Sequence, residues 1–157
     1  MMEEVVVKVQ RLRPDAQVPM YMTDLAAGMD LYAALEKSVS IKPGERALLP
    51  TGIALSIPPG FEGQVRPRSG LALKSGIGLV NSPGTVDADY RGEIGIILIN
   101  HGQRDYVVHQ GDRLAQLVIA PVCRARLEIV EDMEETTRNC GGFGHTGISA
   151  RATETSS

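Results

Sequence analysis

Short apolar, β-branched runs alternate with compact turn signals along most of this chain. Val5 to Leu12, Ala47 to Ile57, Gly76 to Val80, Glu93 to Asn100, Tyr106 to His109 and Leu114 to Val122 each have the length and composition of a strand. Between them stand Lys42-Pro43-Gly44-Glu45, Pro58-Pro59-Gly60, Ser82-Pro83-Gly84 and Gln110-Gly111-Asp112, in which Pro presets one backbone dihedral or Gly relaxes another. That spacing predicts an all-β antiparallel sandwich or barrel. Only Gly70 to Gly76 reads as helical, and its bracketing glycines limit it to one or two turns. After Val130 the chain turns acidic and then rich in Gly, Thr and Ser, so residues 1–130 are expected to form one β domain and 131–157 a mobile C-terminal arm.

Composition narrows the picture. The 157 residues are 43% hydrophobic but contain no Trp, 2 Phe and 4 Tyr, so the core must be aliphatic. With 17 Gly and 9 Pro spread throughout, an all-helical fold is disfavoured. A net charge of -3 argues against nucleic-acid or membrane partners, which call for a broad basic surface. Any anion must be bound locally, and twelve Arg against four Lys suits multidentate contact with phosphate. Cys123 and Cys140 are isolated thiols without a CxxC pairing, and the start Met1-Met2-Glu3-Glu4 is acidic where a secretory signal is basic and then apolar. A cytoplasmic location is expected. Apolar runs such as Ile96 to Ile99 fall far short of the ~20 residues that span a bilayer.

Four segments could carry chemistry. Pro67-Arg68-Ser69-Gly70 follows a strand and opens the short helix, where unpaired amides gather and an anion can dock; an ordinary helix cap has the same look. The segment from Asn81 to Glu93 is bounded by turn formers, and Gly84 leaves backbone groups free to pair with the edge of a nucleobase. Within it Asp87, between Val86 and Ala88, is a candidate general base in an apolar context, or else a solvated hairpin acid. In Gly111 to Val118, Gln116 is a neutral amide among apolar neighbours that needs partners, either backbone groups or a metal-bound water. The arm carries Arg138-Asn139-Cys140-Gly141-Gly142-Phe143-Gly144-His145-Thr146-Gly147, whose lone aromatic can lie flat over a planar ring while the Gly-rich backbone wraps phosphates. His and Cys show no zinc-ligand spacing, and no GxSxG elbow surrounds Ser69.

In this order, and preceded by Ala26-Ala27-Gly28-Met29-Asp30-Leu31-Tyr32-Ala33, these segments resemble the five motifs of the trimeric deoxyuridine triphosphatase (dUTPase) family. The resemblance implies a β-clip or jelly-roll-like homotrimer with shared active sites that hydrolyses dUTP to dUMP and pyrophosphate with Mg2+, supplying dUMP and keeping uracil out of DNA. It implies that Asn81, Gly84, Thr85, Val86, Asp87 and Gly95 read uracil and that Tyr90 packs beneath the deoxyribose, leaving no room for a 2'-hydroxyl. Asp87 would activate the attacking water, and Arg68, Ser69, Gly70 and Gln116 would hold phosphates. Asp30 and Gln116 would reach the metal through its waters, and Arg138, Phe143, Gly144, His145 and Thr146 would close from the arm of another subunit. Met29, Asn139 and His145 depart from the common pattern: Met29 should serve by packing, and Asn139 tolerates a left-handed dihedral better than most residues. Two other readings remain, a deaminase of dCTP on the same fold and a silent nucleotide-binding scaffold.

Overall fold

The computed structural model describes residues 4–142. One unit, ending at Arg124, carries all the regular structure; a second begins at Ala125, and its described residues hold neither strand nor helix. The first unit is built from β1 (Lys8–Arg11), β2 (Met29–Tyr32), β3 (Val39–Ile41), β4 (Arg46–Ser56), β5 (Phe61–Pro67), α1 (Ser69–Ser75), β6 (Ile77–Leu79), β7 (Gly84–Val86), β8 (Glu93–Asn100), β9 (Tyr106–Val108) and β10 (Arg113–Pro121). Three sheets result, in the orders β1-β4-β8-β6, β2-β10-β5-β7 and β3-β9. Every strand pair is antiparallel. The fold is the all-β antiparallel architecture that the strand spacing predicts, in the jelly-roll-like form that the resemblance implies.

Alternation drives the packing. Along β8, Ile94, Ile96, Leu98 and Asn100 point inward while Gly95 and Ile97 take the other face. Leu31, Leu49, Ile53, Ile77, Leu114 and Leu117 join them in a single aliphatic core, so no aromatic centre is needed. Met29 packs against that core as a partly buried side chain. Asn100 is fully buried and fully satisfied: its amide donates to the carbonyls of Ile41 and Arg104, each at 2.8 Å, and its oxygen accepts from Gly102 N–H at 2.8 Å.

Several elements differ from the sequence pattern. β1 covers four residues rather than the whole of Val5 to Leu12, and α1 begins at Ser69 with Arg68 as its N-cap. The short strands β2, β3 and β7 have too few residues for a period to stand out, and the register of their partners creates them.

Two irregularities shape the site. In β4 the pairing with β8 passes from Pro50↔Gly95 to Ala54↔Glu93, so Thr51, Gly52 and Ile53 all stand opposite Ile94. Gly52 adopts φ +69°, and a Cβ there would lie 2.7 Å from the Cβ of Ala16. In β10 the register shifts between Arg113 and Ala115. Without that bulge Leu114 would face Tyr32; with it Arg113 does, on the sheet face shared by Asp30 and Gln116.

Candidate active site

β7, β8 and the turn between them enclose a cleft of about 180 Å³. The segment is not the hairpin its turn formers suggest, because β7 pairs with β5 and β8 with β4 and β6, so the chain crosses here from one sheet to the other. Six of the seven residues expected to read the base or the sugar lie on β7, β8 or the turn between them, and Asn81 precedes β7: Asn81, Gly84, Thr85, Val86, Asp87, Tyr90 and Gly95 all line this one cleft. Val65, Leu79, Ile94 and Ile97 complete its apolar wall, and Glu93 stands at its edge; the sequence reading singled out none of these five. Their signal was present in the strand alternation but was indistinguishable from that of core residues.

Glycine keeps the backbone of the cleft open. A Cβ on Gly84 would lie 2.9 Å from the Asn81 amide nitrogen, so the bare residue permits the approach of that side chain. A Cβ on Gly92 would lie 2.6 Å from Tyr90 Cζ, and its absence gives the ring its seat. The seated ring donates its hydroxyl to the Glu93 carbonyl at 3.0 Å. A turn links β7 to β8, with Tyr90 N–H donating to the Asp87 carbonyl at 3.1 Å. Arg91 clamps the same turn from outside, donating to the carbonyls of Ala88 and Tyr90 at 2.7 and 2.9 Å.

Asp87 itself corrects an expectation. The alternation of β7 buries Gly84 and Val86 and continues outward, so within its own chain Asp87 is exposed rather than surrounded by apolar side chains.

A second group of expected residues lies outside the cleft lining. Asp30 is buried, and its two carboxylate oxygens meet different guanidinium groups: Oδ2 pairs with Arg113 at 3.1 Å and Oδ1 with Arg68 at 3.5 Å. Arg68 also donates to the Arg113 carbonyl at 3.1 Å, so it belongs to a partly exposed network around one buried carboxylate rather than standing as a free surface cation. Gln116 is half-buried and stands directly across β2–β10 from Asp30, with Arg66 opposite on β5. A Cβ on Gly28 would crowd the Gln116 Cβ at 3.2 Å, which explains a glycine two residues before Asp30. Arg113 and Arg66 carry no role in the sequence reading, because only the strand register shows what they face. Ser69 and Gly70 are exposed in the first turn of α1, where amides have no intrahelical acceptor. Tyr106 has its pKa raised above 10.0 by burial and secondarily by Asp112, with Arg68 opposing.

Asp30 and Gln116 offer a carboxylate and an amide oxygen, ligand types that suit a hard cation that retains water and arrives with phosphate, while both Asp30 oxygens here pair with guanidinium groups. Among the described residues no three acidic, His or Cys side chains converge to form a complete cage. In the second unit, Arg138 donates to the Gly141 carbonyl at 2.9 Å and accepts from Gly141 N–H at 2.9 Å. Asn139 takes φ 41°, the left-handed dihedral anticipated for it. Phe143, Gly144, His145 and Thr146 lie outside the described residues. Cys123 and Cys140 are both free and exposed, and among the described residues no helix is long and apolar enough to cross a membrane.

Comparison with known proteins matches this arrangement to a family. Residues 14–147 match the dUTPase family. A deoxyuridine 5'-triphosphate nucleotidohydrolase of Syntrophotalea carbinolica is 65% identical over 147 residues, 94% of this chain and 100% of the relative. A second, from Anaeromyxobacter sp., is 58% identical over 146 residues, 91% of this chain and 98% of the relative. Among solved structures, a Staphylococcus bacteriophage 80alpha dUTPase with dUPNHPP has a TM-score of 0.83 at 28% identity, covering 91% of this chain and 99% of that one. A mutant dUTPase from phage phi11 of S. aureus, described with a structural Mg(II) ion, has a TM-score of 0.75 at 28% identity over 83% of this chain and 99% of that one. Five motifs in order, one cleft that gathers the expected base-reading residues and these likenesses agree, and the chain belongs to the dUTPase family, the dUTP diphosphatases.

Proposed function

We propose that this enzyme hydrolyses dUTP to dUMP and pyrophosphate by water attack at the α-phosphorus, with Asp87 as general base. The observation that carries the reading is the convergence of Asn81, Gly84, Thr85, Val86, Asp87, Tyr90 and Gly95 on one cleft whose backbone is left bare by glycine. Uracil pairs with backbone groups of the β7–β8 segment and Asn81, against the apolar wall of Val65, Leu79 and Ile97. Tyr90, anchored through its hydroxyl, lies against the sugar and excludes a 2'-hydroxyl sterically. The bound dUTP analogue in the phage 80alpha enzyme supports dUTP as the ligand.

Asp87 takes a proton from water as the water oxygen bonds to the α-phosphorus; the bond to the bridging oxygen breaks and its electron pair leaves with pyrophosphate. Arg68 meets the phosphates with the first-turn amides of Ser69 and Gly70, and it is pre-aimed by Asp30 and the Arg113 carbonyl. Asp30 and Gln116 would hold a hydrated Mg2+, which when bound would offset triphosphate charge and stabilise the leaving pyrophosphate. Arg138, Phe143, Gly144, His145 and Thr146 close over the nucleotide from the 131–157 arm and exclude water.

The assembly we propose is a homotrimer with sites shared between chains. Support comes from Ala125 to Val130, where Leu127 and Ile129 alternate with charged residues in strand fashion yet are 90% and 101% exposed in the lone chain. Support also comes from Asp87, whose own chain leaves it uncovered. Exposed free thiols fit a reducing cytoplasm. The test is product analysis with dUTP and dCTP, with and without Mg2+. One pyrophosphate per dUTP, Mg2+-dependent, is expected; ammonia released from dCTP would replace this reading with deamination.

A further inference from the structure

The β4 bulge and the Tyr90 ring are joined by one residue. Glu93 accepts Gly52 N–H on its side-chain carboxylate at 2.8 Å, while its main-chain carbonyl accepts the Tyr90 hydroxyl at 3.0 Å. The next residue is held by the same bulge, because Thr51 donates its hydroxyl to the Ile94 carbonyl at 2.6 Å, in a buried contact. Three residues of β4 stand opposite Ile94, so the regular ladder cannot supply these partners, and side chains do. The bulge is itself fixed from behind: Gly52 sits against Ala16 and Ala34, and its carbonyl accepts Leu12 N–H at 2.8 Å. The position of the Glu93 carbonyl, and with it the direction of the tyrosine ring, is thus set by a bulge on a neighbouring strand.

We infer that Glu93 and Thr51 are positioning residues for sugar discrimination, acting through Tyr90 rather than on the reacting atoms. The inference rests on the reading of Tyr90 as the residue beneath the deoxyribose. Glu93 is needed as an acceptor, not as a charge, so Gln substitutes for it. Thr51 is needed as a hydroxyl donor, so Ser substitutes and the isosteric Val does not. A ring released from its anchor samples more orientations and clashes less with a 2'-hydroxyl.

The test measures kcat/KM for dUTP and for UTP in Glu93→Ala, Glu93→Gln, Thr51→Val, Thr51→Ser and Tyr90→Ala, with thermal melting of each. Glu93→Ala and Thr51→Val are expected to lower the dUTP:UTP ratio about three- to tenfold, the worth of one ordinary hydrogen bond. Their kcat for saturating dUTP should change less than twofold, and Glu93→Gln and Thr51→Ser should keep the ratio within twofold of the parent. Should Glu93→Ala fail to fold, Thr51→Val and its Ser rescue carry the comparison. Tyr90→Ala lowering the ratio while Glu93→Ala and Thr51→Val leave it unchanged overturns the inference and spares the reading of Tyr90. An unchanged ratio in Tyr90→Ala overturns both.

Discussion

Gly92→Ala should damage recognition while barely touching stability. The new Cβ would lie 2.6 Å from Tyr90 Cζ and 3.0 Å from Cε2. Carbon atoms in contact prefer about 3.5–4.0 Å, so the ring must retreat by about 1 Å. That retreat stretches the 3.0 Å bond from the Tyr90 hydroxyl to the Glu93 carbonyl beyond hydrogen-bonding range. The loss is about 0.5–1.5 kcal/mol of positioning, or roughly two- to tenfold in the preference for dUTP over UTP. Tyr90 is 45% exposed, so the displaced ring swings into solvent rather than into the core, and global stability should fall by less than about 1 kcal/mol. Parallel steady-state assays with dUTP and UTP, alongside denaturant melts, measure both quantities. An unchanged nucleotide preference in a protein of unchanged stability would refute the claim that Gly92 exists to seat the tyrosine; a collapse in stability would show that the glycine serves the backbone instead.

Other outcomes follow from the same geometry. Asp87→Asn should nearly abolish turnover yet keep affinity for a non-hydrolysable dUTP analogue within about tenfold, because the amide retains shape but cannot take a proton; equal loss of binding would make Asp87 a structural residue of the turn. Asp30→Asn removes the buried carboxylate shared by Arg68 and Arg113 and should cost about 1–3 kcal/mol in urea unfolding, discounted because the two Arg side chains are 26% and 43% exposed. The same variant should weaken binding of inorganic pyrophosphate, and unchanged calorimetric affinity would remove Asp30 from the phosphate region. Because burial lifts the folded Tyr106 pKa above its unfolded value of 10.0, its protonated form is favoured in the native state. Its contribution is complete below pH 10 and declines as pH rises through the folded pKa, so the parent should lose stability relative to Tyr106→Phe in alkaline melts. Truncation after Glu135 should leave a folded core but lower catalytic efficiency by about two orders of magnitude or more. Mixing those chains with full-length Asp87→Asn chains should restore activity if arms act across subunits, and failure after confirmed subunit exchange would confine each arm to its own Asp87.

The local pattern determined much of this protein. Alternation along β8 and β10, with Pro and Gly between runs, was enough for an antiparallel β fold, since strand propensity and turn chemistry depend on neighbours in sequence. The contiguous segment from Asn81 to Ile97 likewise carried nearly the whole base-reading cleft, although β7 and β8 face it from two different sheets, a fact that only the strand pairing reveals.

Tertiary structure decided what local pattern cannot hold. Asp30, Arg68 and Arg113 lie on separate strands or their ends, and they meet only because β2, β10 and β5 are adjacent and a single bulge moves Arg113 onto the face of Asp30. The two-residue excess in β4 is invisible as periodicity, since it exists only relative to its partner strand, yet it positions Glu93 and hence Tyr90. Asp87 looked apolar in context because Val86 and Ala88 flank it, whereas side chains on a strand alternate and send neighbours to opposite faces. Sequence therefore determined which residue types and turns were available; register, a property of pairs of strands, determined which of them face one another.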